Sequence, residues 1–249
     1  WDWVAEHFRD EYHIIAPDLR GHGDSQWMEG GTYTQLDYVY DIAQLLHQKD
    51  MRPVTIIGHS LGGSISLLYT SVYPDNVKKL VAIEGLGPSP SMQEKLKEKR
   101  IGDRIRDWMG DLRKSSGRSA RRYLTLEDAF QRMQDENPHL SEAQARHLTI
   151  HGSNQNEDGT FSWKFDNYVR FFAFSGLPNN DLKKLWGDIK CPALLVRGVE
   201  SWASDPVADG RTKYFNCPIE VEAFEKAGHW VHHDQLEGFV QRVRTFLAD

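Results

Sequence analysis

The run Val54-Thr55-Ile56-Ile57-Gly58-His59-Ser60-Leu61-Gly62-Gly63 constrains the fold more than any other stretch of this chain. A β-branched apolar segment reads as a buried strand, and it runs straight into Gly-x-Ser-x-Gly. Behind it Ile65, Leu68, Tyr69 and Val72 recur at helical spacing. A serine at the tip of so tight a strand-to-helix turn sits in a strained backbone conformation. Its neighbours two residues away, Gly58 and Gly62, are expected to be side-chain-free to avoid collision, and Gly63 to let the helix approach the sheet. The helix that begins near Leu61 aims its first amides at the serine, where a negatively charged oxygen would be stabilised.

Further strand-like runs lie at Tyr12–Ala16, Lys79–Glu84, Ala193–Arg197 and Ile219–Phe224. Leu36, Val39, Ala43 and Leu46 behind Thr34, and Leu236, Phe239, Val240, Val243 and Phe246 near the end, form helical stripes. Strands alternating with helices predict an α/β fold with a mostly parallel sheet flanked by helices. The alternation breaks between Pro88 and Trp186. There Ser91–Leu112 reads as one amphipathic helix, Ser115–Arg122 as a basic loop or helix junction, and Thr125–Met133 and Ser141–Leu148 as short helices, the last with an N-cap at Ser141. The chain is therefore divided into core residues 1–87, a helical cap insertion over 88–186, and core residues 187–249.

A serine hydroxyl needs a base. His229, in Ala227-Gly228-His229-Trp230, follows the last strand, and loops after the ends of parallel strands share one sheet edge. Ser60 and His229 should therefore meet. A metal cluster of His229, His233 and Asp234 is the weaker reading, since no His-Glu-x-x-His pattern supports it.

On these motifs, together with Ala16-Pro17-Asp18-Leu19-Arg20-Gly21-His22-Gly23-Asp24-Ser25 and the strand Ala193–Gly198, the chain resembles the α/β-hydrolase superfamily. The resemblance implies an acid that orients the histidine, usually just after the penultimate strand. Ser201 and Trp202 occupy the usual positions, which is a departure. Two candidates remain: Glu84, ending the strand after the elbow helix, as in a subset of the family, and Asp205, farther along the loop. Glu84 is preferred. The resemblance also implies three strands and an oxyanion loop ahead of Tyr12–Ala16. The chain opens at Trp1-Asp2-Trp3-Val4, similar to the helix after that loop, so a natural protein longer at its N-terminus is expected.

The net charge of −6 over 249 residues argues against nucleic acid, and no apolar run is long enough to span a membrane. Two cysteines, Cys191 and Cys217, make no disulfide framework, and reduced thiols in a cytoplasmic protein are expected. Aromatics in and around the insertion (Trp108, Tyr123, Trp163, Phe165, Tyr168, Phe171, Phe172, Phe174) suit packing and an apolar pocket. The expectation is a serine hydrolase, carboxylesterase-like, that cleaves a small hydrophobic ester or lactone through an acyl-enzyme and needs no metal or organic cofactor. Ser60, His229 and Glu84 or Asp205 would carry the chemistry, with the Leu61 amide at the oxyanion. His59, Trp108, Trp202 and Trp230 would touch substrate. A carbon–carbon bond hydrolase, or a small-molecule receptor on a hydrolase scaffold, are the alternatives. Oligomeric state is not legible.

Overall fold

A computed structural model describes residues 1–29, 33–116, 120–171, 174 and 176–248, without the side chains of 115 and 116. In chain order the elements are α1 (Asp2–Phe8), α2 (Gln35–Gln48), β1 (Val54–His59), α3 (Leu61–Val72), β2 (Val77–Ile83), α4 (Pro90–Glu98), α5 (Ile101–Ser116), α6 (Leu126–Glu136), α7 (Glu142–Gly152), β3 (Ser153–Gln155) and β4 (Phe161–Trp163). There follow α8 (Asn179–Gly187), β5 (Ala193–Gly198), β6 (Ile219–Phe224), α9 (Val231–Asp234) and α10 (Leu236–Ala248).

The main sheet has four strands in the order β1-β2-β5-β6, and all three pairings are parallel. The central strands β2 and β5 are largely buried, which is why Leu80–Ile83 and Ala193–Val196 read as continuous apolar runs, whereas the edge strand β6 alternates with Glu220 and Glu222. Side chains of successive strand residues point to opposite faces. Val81, Ile83, Leu194 and Val196 take one face and pack with Val4 and Phe8 of α1 and Phe239, Val240, Val243 and Phe246 of α10. Leu80, Ala82 and Leu195, all fully or almost fully buried, take the other. Helix α3 packs against β1 and β2, and against α2 and α8.

The chain divides into two compact units. One comprises residues 1–15, 35–99 and 175–249 and holds the parallel sheet; the other comprises 16–34 and 100–174. Within the second, the Ser141/Gln144 capping box opens α7 as the sequence predicts, and a Thr125/Asp128 box opens α6. β3 and β4 form an antiparallel pair, and Trp163 donates its indole N–H to the Tyr123 hydroxyl at 3.0 Å. The Asp18–Ser25 turn is held by its own polar groups: Asp18 accepts from the Asp24 amide at 2.9 Å and its carbonyl accepts from Ser25 Oγ at 2.7 Å.

Two local expectations change. Residues 12–16 form no strand, and Tyr12, Ile14 and Ile15 are exposed, because among the described residues no strand lies beside them to take up their backbone hydrogen bonds. Ser91–Leu112 is broken into α4 and α5, with Lys99 extended. Lys97-Glu98-Lys99-Arg100 is wholly exposed and offers no apolar anchor through which one helix could stay packed. The basic segment 115–122, expected as a loop or helix junction, holds the end of α5 at Ser116; 117–119 lie outside the described residues, as does Phe172. Both cysteines are free, and burial pushes the Cys191 thiol up to about 11.

Candidate active site

Strand register sets the site. His59 pairs with Ile83 across β1 and β2, so the next residues, Ser60 and Glu84, leave the sheet side by side. The Ser60 amide still donates to the Ile83 carbonyl at 2.8 Å, and the Glu84 amide to the Val196 carbonyl at 2.9 Å. Both residues have left-handed φ, 52° for Ser60 and 49° for Glu84, although neither is glycine. Such backbone costs on the order of 1–3 kcal/mol per residue and persists only where the surroundings over-determine it. At Ser60 the surroundings are the first turn of α3, where the Ser64 amide donates to the Ser60 carbonyl at 3.0 Å.

The glycines around the elbow differ in their reasons. A Cβ on Gly58 would lie 2.5 Å from the Gly62 carbonyl oxygen, and one on Gly63 would lie 2.7 Å from Gly85 Cα. A Cβ on Gly62 would meet nothing within 4 Å. The expected clearance at Gly62 is thus corrected: what crowds Gly58 is the backbone of residue 62, whose own side chain would point into open space.

His229 arrives from the loop after β6. Its Nδ1 forms a short hydrogen bond with Glu84 Oε2. The carboxylate is fully buried and has two further donors: the Gly198 amide reaches Oε1 at 2.9 Å, and the Ser201 hydroxyl reaches Oε2 at 2.7 Å. A buried carboxylate is costly unless paired and hydrogen-bonded, and here both oxygens are engaged. The His229 loop is fixed from behind: Asp234 accepts from the Gly228 amide at 2.8 Å, and the His229 carbonyl accepts from His59 Nε2 at 2.8 Å. That last bond puts His59, the residue before Ser60, against the His229 segment, with the two imidazole centroids 4.6 Å apart.

Of the two candidate acids, then, Glu84 meets the imidazole. Asp205 does not: its Oδ1 accepts from the Val207 and Ala208 amides at 2.8 and 3.4 Å, and its Oδ2 faces Arg197 at 3.9 Å. It caps the turn that begins there, a role a carboxylate two residues ahead of free amides takes readily. The assignment of His59 to substrate contact is also corrected. Its half-buried ring neighbours those of His229 and His232, 4.6 and 4.7 Å away, and its Nε2 donates to the His229 carbonyl rather than facing a ligand. Burial, reinforced by the neighbouring His229, pulls its pKa down to about 3, so it is neutral, with the proton on Nε2. Strand parity carried the signal: His59 continues the Ile57 face, and Ile57 packs on the α10 side of the sheet.

Trp202 is largely exposed, and its ring lies 5.3 Å from that of His229. Trp230 lies 6.3 Å from His59 and 5.4 Å from His233, backing the histidines. Trp108 belongs to the second unit, where its ring meets Phe174 at 6.0 Å. Leu61 is the first residue of α3. Among the described residues no group of three or more His, Cys, Asp or Glu side chains is arranged to hold a metal ion, His229, His233 and Asp234 included, and no helix is long and apolar enough to cross a membrane.

Known proteins share this parallel-sheet architecture. The family model described as the alpha/beta hydrolase fold matches residues 1–236. The chain belongs to the α/β-hydrolase fold family. Among its relatives, this α/β hydrolase is 25% identical over 248 residues to 2-hydroxy-6-oxo-2,4-heptadienoate hydrolase of Pseudomonas putida, a match covering 100% of the chain and 83% of that protein. It is 28% identical to esterase Rv0045c of Mycobacterium tuberculosis, covering 99% of the chain and 78% of that protein. Among solved structures, the thioesterase domain from the curacin biosynthetic pathway superposes with a TM-score of 0.81 over 98% of the chain and 85% of that domain at 22% identity, a likeness of fold.

Proposed function

We propose that this α/β hydrolase is a serine hydrolase that cleaves a small hydrophobic ester-type substrate through an acyl-enzyme. The observation that carries the reading is the Glu84–His229 hydrogen bond at the sheet edge where the strained Ser60 stands. His229, with Nδ1 held by Glu84, has Nε2 free to take the proton from Ser60 Oγ. Ser60 attacks the carbonyl carbon, and the oxyanion faces the first amides of α3, that of Leu61 foremost. The proton then passes from Nε2 to the leaving oxygen as the carbon–oxygen bond breaks. In the second half-reaction His229 activates water against the acyl-serine. Esterase Rv0045c, matched over nearly the whole chain, supports the ester reading. The match of the whole given chain to 83% of a 2-hydroxy-6-oxo-2,4-heptadienoate hydrolase favours a second reading, hydrolysis of a carbon–carbon bond in a keto acid, by the same groups.

A fluorophosphonate probe tests the shared core of both. Wild-type protein should be labelled and Ser60→Ala should not; a folded wild-type protein that resists the probe would overturn the reading in favour of a non-catalytic binding protein. A panel of esters, lactones and vinylogous keto acids then separates the two reactions. For the acid, Glu84→Gln should lower kcat by about 1,000-fold or more, as loss of the orienting carboxylate does in a serine triad, while Asp205→Asn should stay within about threefold of wild type.

A further inference from the structure

The His229 ring has two aromatic neighbours that differ in exposure. One is His59, half-buried and bonded to the His229 carbonyl. The other is Trp202, with its ring centroid 5.3 Å away and 40° between the planes, 55% exposed to solvent. An indole left that open in a protein with a formed core has its apolar face available for a ligand. Its backbone is nonetheless well placed. Ser201 Oγ donates to Glu84 at 2.7 Å and accepts from the Ala203 amide at 3.3 Å, so the residues on both sides of Trp202 are tied to the carboxylate that holds the histidine. The Glu200 amide donates to the Ala227 carbonyl at 3.0 Å, joining the same loop to the His229 segment.

Chemistry says which part of a substrate comes to this side. In acyl transfer the Ser60 Oγ–carbon bond forms, the carbon–oxygen bond to the alcohol breaks, and the proton taken from Oγ goes to the departing oxygen from His229 Nε2. The leaving oxygen therefore lies against the imidazole, and the group attached to it comes within reach of the indole that neighbours the imidazole. The acyl chain hangs from the carbon on Ser60. We infer that Trp202 reads the alcohol half of the ester and favours a flat aromatic leaving group, which makes aryl esters the preferred substrate class. This rests on the serine-hydrolase reading of the site and adds to it a residue that selects the leaving group.

The test compares wild type, Trp202→Ala and Trp202→Phe on phenyl acetate, ethyl acetate and phenyl butanoate. The intrinsic reactivity of each ester cancels when the ratio of kcat/KM values is compared between proteins. Trp202→Ala should lower the phenyl-to-ethyl ratio by about 3- to 10-fold, the range of one aromatic contact, and Trp202→Phe should restore most of it. The acetate-to-butanoate ratio should not move. An equal loss on phenyl and ethyl acetate, or a shift in the acetate-to-butanoate ratio instead, would overturn the assignment while leaving the hydrolase intact. Wild-type protein that turns over none of the three and resists fluorophosphonate would instead bring down the underlying hydrolase reading, and the Trp202 assignment with it. Because Trp202 is exposed, its truncation leaves the core unchanged, and a circular-dichroism melt of each variant checks this.

Discussion

Glu84 divides its two oxygens between a backbone amide and the pair Ser201 and His229. Ser201 thus aims the oxygen that His229 uses, without touching the imidazole itself. Ser201→Ala should lower kcat about 10-fold with KM nearly unchanged, the size of one hydrogen bond to a charged group, and Ser201→Thr, which keeps the hydroxyl, should recover it. Equal kinetics for Ser201→Ala and wild type would remove Ser201 from this role. The elbow serine was legible in the sequence because the turn needs glycine and strained backbone locally. The acid was less legible. Glu84 and Asp205 both lie near the ends of strands at one edge, and only the β1–β2 register, which sets residue 84 beside residue 60, separates them. His59 was read toward the substrate because a motif position says nothing about which face its side chain takes.

At the scale of elements, the site depends on how closely β5 approaches the His229 loop. A Cβ on Gly198 would sit 2.1 Å from the Gly228 carbonyl oxygen and 2.4 Å from that of Ala227. Both are backbone atoms, so no side chain can swing away. Gly198→Ala should cost about 2–3 kcal/mol, at the upper end for overpacking, and should shift His229 as the loop retreats. Thermal melts and kcat together check this: a stable variant with unchanged kcat would show that the loop has room. Periodicity found β5 as an apolar run and β6 as an alternating one, each following a proline. It failed at Tyr12–Ala16, whose composition is strand-like but which finds no neighbouring strand among the described residues, and across Lys97–Arg100, where a charged run interrupts a stripe that otherwise looks continuous.

For the whole molecule, buried histidines tie stability to pH. Burial holds His59 down to about 3 and His232 well below the ordinary value of a histidine, with like-charged neighbours adding to both shifts. A depressed folded-state pKa means that the unfolded chain binds protons which the folded one refuses. Stability is therefore complete above the unfolded value of about 6.5 and falls as pH drops below it, by up to about 1.4 kcal/mol per pH unit for each histidine. Urea midpoints should be flat from pH 8 to 7 and decline steadily from pH 6.5 to 4.5, and His59→Gln should make the decline shallower. A midpoint that does not fall below pH 6.5 would refute the linkage. The cysteines give a second global readout. With Cys191 buried and its thiol pushed up to about 11, and Cys217 also raised by burial, maleimide should react slowly with the native protein at pH 7 and promptly in denaturant.

The Glu84–Ser60 juxtaposition also bears on how such a protein can diversify. Because both residues emerge from hydrogen-bonded neighbouring strands, their separation is locked by the sheet itself. The segment from 199 to 210 is thereby relieved of supplying a carboxylate to the imidazole. With Ser201 kept on Glu84, it can trade Trp202 for another side chain or change length beyond it, and specificity can be rewritten there by loop grafting while the reacting groups keep their alignment.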